Sequence, residues 1–310
     1  MTAVDLELIA DGLAFPEGPV AQSDGSILVV EVAGGRVTRI DPGSGSTTVV
    51  AEPGGGPNGL AVGPEGNLLL CNNGGFATRR KGEFDFPEPF PPTTYRGGSL
   101  QRIDSSGAVI DLYTTCGAES LKAPNDLVVD QEGGVWFTDL GKERGRQLDI
   151  GSVFYGRSDG SGIEEALHPL ISPNGIALAP EGDRLYVAET IPGRIWWWPV
   201  LGPGRLGRSG PGPSGGHLLH GFSGYQLPDS MAVDAAGNVC VGTLISGVVS
   251  VISPEGELLD QLGMPEFDPL VTNICFGGSD GTTAYVTSSG RGRLYRANWP
   301  RPGSPLAFAR

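Results

Sequence analysis

A short phrase recurs five times along this chain, and its second residue always carries a side-chain oxygen. The copies are Pro16-Glu17-Gly18-Pro19-Val20, Pro57-Asn58-Gly59-Leu60, Pro124-Asn125-Asp126-Leu127, Pro173-Asn174-Gly175-Ile176 and Pro228-Asp229-Ser230-Met231. Eight residues after each oxygen-bearing side chain stands a turn glycine: Gly25, Gly66, Gly133, Gly182 and Gly237. A weaker sixth copy, Val271-Thr272-Asn273-Ile274, leads to Gly281. Repetition of this kind marks supersecondary units that bury their apolar faces only against one another.

Each copy opens a set of short strands. Apolar second strands follow at 27–30, 68–70, 135–138, 185–188, 239–242 and 284–287, and third strands at 35–41, 98–104, 151–155, 194–198, 247–251 and 293–296. With 51 glycines and 26 prolines and no 3.6-residue apolar period, long helices are not expected. The class is all-β. Four antiparallel strands per unit, repeated six times, predict a six-bladed β-propeller. The last unit lacks a fourth strand of its own, and the N-terminal segment Leu6–Ala10 is expected to supply it and close the ring. The whole of 1–310 is read as one domain. The wide gap between Asn58 and Asn125 marks an insertion, residues 76–97. As a loop between second and third strands it should lie on the face where the first strands begin. Residues 140–150 form a similar loop, whereas 202–216 should be a flexible connector on the opposite face.

Rotational symmetry would gather the second residues of the six phrases into one ring. Glu17 and Asp229 contribute carboxylates and Asn125 and Asn174 amide oxygens, a hard, oxygen-only donor set. Such a set suits one divalent cation, calcium first. Zinc is disfavoured because no His or Cys occurs at a ring position, with manganese and magnesium as further candidates.

With these residues laid out, the chain resembles the senescence marker protein/gluconolactonase/luciferin-regenerating-enzyme family of six-bladed propellers. The resemblance rests on Glu17-Gly18-Pro19, Pro124-Asn125-Asp126, Pro173-Asn174-Gly175-Ile176, Asp229-Ser230-Met231-Ala232-Val233-Asp234 and Trp136-Phe137-Thr138-Asp139. It implies that Glu17, Asn174 and Asp229 ligate the cation, with Asn125 a fourth ligand or a substrate contact. It implies hydrolysis of lactones, typically sugar lactones, with Asp229 as the general base and Asn125 beside it in catalysis. Asn58, Asn125, Asp139 and Phe76 are expected to line the substrate site. Thr272 and Asn58 fill the remaining ring positions as supporting groups. Some sugar-lactone hydrolases of the family carry Arg two residues before the third-blade Asn. Here that residue is Ala123, and Leu140-Gly141-Lys142 follows Asp139. Together with the aromatic insertion, these departures point to a more apolar substrate.

Other readings stay open. A calcium-dependent organophosphate hydrolase resembling diisopropylfluorophosphatase ranks lower, because the position that carries His there is Ser289 here. A metal-assisted isomerase or cyclase and a non-catalytic binding scaffold are further alternatives. No Gly-x-Ser-x-Gly motif occurs, and His168, His217 and His220 are expected in surface or structural roles. A net charge of −14 opposes binding to nucleic acid. No apolar run reaches the length of a membrane span, and Met1–Glu7 has no leader-like pattern. Cys71, Cys116, Cys240 and Cys275 form no C-x-x-C pair and read as free thiols. A cytoplasmic enzyme, monomeric or weakly self-associating and acting on a small molecule, is the expectation.

Overall fold

Six antiparallel sheets follow one another along the chain, five of four strands and the fourth with a short extra strand, Arg205–Leu206, in a computed structural model that describes residues 5–308. Met1–Val4, which belong to the segment read as leaderless, lie outside the described residues. The inner strands are Pro16–Ala21, Pro57–Val62, Pro124–Val129, Pro173–Leu178, Leu227–Val233 and Val271–Gly277. Each packs beside the next, and the last packs beside the first, so the ring closes as the repeat required. The closing strand is the expected one: Leu6–Ala10 pairs antiparallel with Arg293–Asn298 and completes the sixth blade. The first strand of the chain thereby becomes the outer strand of the last blade, which ties the two ends of the ring together.

Strand character follows from composition. The second strands are near-continuous apolar runs, such as Ile27–Glu31 and Leu68–Asn72, buried throughout because a neighbouring blade covers each face. The fourth strands, such as Thr47–Ala51 and Leu258–Gly263, face solvent and are largely exposed. Cys71, Cys240 and Cys275 are buried and Cys116 is half-buried, all four as free thiols.

Where the phrase occurs, every inner strand carries an irregularity. Pro16 pairs with Glu31 and Val20 with Leu28, Pro57 with Asn72 and Leu60 with Leu70, Pro124 with Asp139 and Leu127 with Phe137. The same shift recurs after Pro173, Pro228 and Val271. The phrase is therefore a β-bulge, which bends the strand and re-aims its side chains. The residues opposite the leading prolines then anchor the incoming chain. Glu31 accepts from Ala14 N–H, Asn72 from Gly56 N–H, Asp139 from Lys122 and Ala123 N–H, and Glu189 from Ile171 N–H.

Two expected loops contain hairpins. In the insertion, Thr78–Lys81 pairs with Phe84–Pro87 around a Gly82-Glu83 turn, and after Leu140 the segment Glu143–Arg144 pairs with Gln147–Leu148. The segment 202–216 is not a loose connector. Gly212 and Gly216 pack on the Trp196 and Trp198 rings, the Trp198 indole N–H donates to Ser214 O at 3.3 Å, and Arg208 donates to Ala166 O at 2.7 Å. Glycine allows this because only a residue without Cβ lies flat on an indole. No helix among the described residues is long and apolar enough to cross a membrane.

Candidate metal and active centre

The bulge decides what reaches the axis. It brings forward the second and the third residue of each phrase. The third residues are Gly18, Gly59, Asp126, Gly175, Ser230 and Asn273. Where the third residue is glycine, the inner strands come together closely. A Cβ on Gly18, already at φ +49, would stand 2.5 Å from Asn58 O, and one on Gly59 would stand 2.7 Å from Asp126 Cα. Gly175 likewise packs on the backbone of Asp229 and Ser230.

Hydroxyls tie the blades at the same level. Thr138 Oγ1 donates to Asn174 O at 2.6 Å, Thr190 Oγ1 to Pro228 O at 2.8 Å and Ser289 Oγ to Pro16 O at 2.5 Å. Ser289, which replaces a histidine in the organophosphate-hydrolase comparison, is thus a seam residue between the sixth and first blades. It also shares a hydrogen bond with Thr272.

Within this frame the expected ligands are brought together at the ring. Glu17, Asn125, Asn174 and Asp229 are all buried, with exposures of 3, 8, 6 and 8%. Glu17 Oε2 accepts from Asn273 Nδ2 at 3.0 Å and from Gly18 N–H at 3.0 Å. Burial raises the Glu17 carboxyl, and hydrogen bonds from Asn273, Thr272 and Gly18 oppose the shift in part. Asp229 is held well above the usual carboxylate range, first by burial and then by the charge of Glu17, while the Asn174 side chain partly opposes this. Buried like charges without a counter-ion destabilise each other's ionised form.

Asp126 was not singled out from the sequence, although it stands in the phrase. Burial, followed by the charge of Glu17, pushes its carboxyl up to about 7, against hydrogen bonds from Leu127, Ile176 and Ser230. Asn273 was missed as well. The available signal was the third position, which departs from glycine in only three of the six copies.

The donor chemistry fits a hard cation. The Asn125 side-chain oxygen is buried with no hydrogen-bond partner and is open to a donor or a cation. Asp229 and Glu17 repel one another, and a cation between them would relieve that repulsion. Among the described residues, no three His, Cys, Asp or Glu side chains form a metal cluster by themselves, so amide oxygens are essential to this fit.

Asn58, the second residue of its inner strand, is half-buried at the ring. Asp139 accepts three backbone N–H bonds, from Lys122 at 2.7 Å, Ala123 at 2.7 Å and Gly141 at 3.1 Å. Those bonds make it a structural anchor, and its position gives no support to a substrate contact. Phe76 packs on Phe15, centroids 5.0 Å apart, two residues before Glu17. His217 stacks on Trp197 and His220 bonds Gly256 O, both in the fourth strand of blade four, away from the ring.

Below the ring runs a central cavity of about 420 Å³, lined near its upper end by Gly18, Asp126 and Asn273 and then by apolar inner-strand residues. The C-terminal segment reaches it from the opposite face. Arg301 pairs with the fully buried Asp234 at 2.6 Å, Ser304 N–H donates to Val233 O, and residues 304–307 line the cavity.

A family model described as the SMP-30/gluconolactonase/LRE-like region matches residues 15–290. A gluconolactonase of Zymomonas mobilis is 26% identical, covering 92% of this chain and 79% of that protein. A lactonase drp35 of Staphylococcus saprophyticus is 27% identical over 85% of this chain and 74% of its own length. A solved regucalcin from Agrobacterium tumefaciens, described as a calcium-binding protein, superposes with a TM-score of 0.75 at 17% identity. That match spans 99% of this chain and 98% of that one, a likeness of fold.

Proposed function

This chain belongs to the SMP-30/gluconolactonase/LRE-like family, and from that premise we propose that it hydrolyses small lactones with the help of one divalent cation. The observation that carries the reading is the pair of buried, mutually repelling carboxylates Glu17 and Asp229, with the Asn174 side chain hydrogen-bonded to Asp229. Glu17, Asn174 and Asp229 would hold the cation, with Asn125 as fourth ligand or substrate contact. Calcium is the favoured ion, in keeping with the all-oxygen donor set and the calcium-binding regucalcin of like fold. A bound cation supplies charge that polarises the ester carbonyl and stabilises the developing oxyanion.

The residues of the ring supply the rest. Asp229, at the edge of the donor set, would accept the proton of the water that attacks the carbonyl carbon. As the ring C–O bond breaks, the departing alkoxide takes the proton back from Asp229. Asn273 and Gly18 hold the Glu17 carboxylate through Oε2. Below the ring the central cavity is lined mainly by apolar inner-strand residues such as Leu60, Ile176 and Met231. The whole chain, 1–310, acts in this reading as one domain.

The test is a panel of sugar-derived, alkyl and aromatic lactones, followed by pH drop after chelator treatment and readdition of calcium, zinc, manganese or magnesium. Turnover that needs a divalent ion supports the reading. Full turnover after exhaustive chelation, or none with any lactone and any ion, would overturn it.

A further inference from the structure

The face that carries the ring bears an apolar arc along part of its rim. The insertion forms a strap across it. From blade two, Phe76 packs on Phe15 of blade one, and the strap hairpin then reaches blade six. There Asp85 N–H donates to Gly290 O at 2.8 Å, Phe84 meets Phe267 edge-on at 6.3 Å, and Arg291 lies over Phe84 at 4.8 Å. Phe76 and Phe86 join one apolar cluster with Phe15, Leu270 and Leu244. Leu244 pairs with Leu227, two residues before Asp229, and Phe15 stands two residues before Glu17. Within this cluster, which is mainly the packed interface of blades one and two, Phe15, Phe76, Phe86, Leu244 and Leu270 form an arc at the end where the inner strands begin, reaching blades five and six.

The arc continues into exposed side chains. Ile191, Tyr225, Ile245 and Phe267 are 55, 72, 42 and 56% exposed, and all four sit in loops on the face where the inner strands begin. Arg144 pairs with Asp149 at 2.7 Å, Arg291 with Glu83 at 2.9 Å, and Lys142 donates to Gly75 O at 3.2 Å. Ala123, two residues before Asn125, offers no polar side chain. A polyhydroxylated ring needs several convergent donors and acceptors and is rejected where its hydroxyls stay unpaired. An alkyl or aryl group needs only apolar area.

We infer that the substrate of this site is a lactone with an apolar substituent, alkyl or fused aryl, seated against the arc of Phe15, Phe76, Phe86 and Leu244. This rests on the proposed lactonase reading and specifies its substrate class.

The test compares four six-membered lactones on the calcium-loaded protein: δ-valerolactone, a butyl-substituted δ-lactone, dihydrocoumarin and glucono-1,5-lactone. The butyl and aryl lactones are expected to exceed glucono-1,5-lactone in kcat/KM by at least about tenfold. In Phe76→Ser and Phe86→Ser that preference is expected to fall by roughly fivefold or more, through KM, with Phe76→Leu restoring most of it. Thermal melting verifies that each variant is folded. Equal or better kcat/KM for the polyhydroxy lactone, or a preference unmoved in every folded variant, overturns the inference. So would a polyhydroxy preference accompanied by dimerisation in sedimentation, which would assign the arc to a subunit contact. Calorimetric titration of the corresponding lactams onto the calcium-loaded wild type reads the binding preference without turnover. Failure of the lactonase reading, no hydrolysis even of δ-valerolactone, is therefore distinguishable from failure of this one.

Discussion

Asn273 and Glu17 stand 256 positions apart in the chain, yet the Asn273 side-chain amide donates to Glu17 Oε2 at 3.0 Å across the seam between the sixth and first blades. Closing the propeller and orienting its first acid are thus one event. Ser289 strengthens the seam by donating to Pro16 O, the carbonyl just before Glu17. A blade-six fault should therefore reach the site through blade one.

Glu17→Gln and Asp229→Asn each remove one of two buried negative charges. In metal-free buffer both variants should melt at or above the wild-type temperature, because the repulsion between the two carboxylates is gone. Calcium at about 100 times its Kd should stabilise the wild type by about 2.7 kcal/mol. For a protein of this size that is a rise of several degrees. The variants should lose that rise together with lactone turnover, both read by calorimetry and pH drop.

Asp139→Asn tests the anchoring role. The substitution turns one acceptor oxygen into a donor facing backbone N–H groups, and should cost about 2–3 kcal/mol in urea denaturation. KM for δ-valerolactone in the folded variant should stay within about twofold of wild type, since no reacting group is changed. A large KM increase at unchanged stability would return Asp139 to the substrate site.

Gly59→Ala tests how closely the inner strands approach. A methyl there would stand 2.7 Å from Asp126 Cα and 2.8 Å from Asn125 O, both backbone atoms that move only with blade three. We expect a loss of about 2 kcal/mol or more in the denaturation midpoint, with calcium affinity weakened in parallel. A wild-type midpoint would mean that the two blades stand further apart than described.

Lys142 provides a pH signature. Burial lowers its amine to about 8, below its value in an unfolded chain. Between pH 8 and roughly 10.4 the unfolded chain holds a proton that the folded chain lacks, so this group makes stability rise with pH across that window. Below pH 8 both states are protonated and the contribution is flat. The stability of wild type relative to Lys142→Met should improve steadily from pH 8 upward in urea titrations. A difference independent of pH would mean that the ammonium is solvated.

What the chain alone determined is everything that repeats. Six phrases, their turn glycines and their apolar second strands specified six blades, and the missing fourth strand of the last unit pointed to Leu6–Ala10 as its closure. Strand periodicity and turn chemistry are local, so they are readable residue by residue. The positions of Glu17, Asn174 and Asp229 in one ring followed from the symmetry of the repeat. Only the tertiary structure decided which neighbours join them. The bulge shifts the register and turns Asp126 and Asn273 toward the axis, Asp139 is taken up by backbone amides, and the strap crosses from blade two to blade six. Each depends on contacts between segments far apart in the chain, and no local period encodes those.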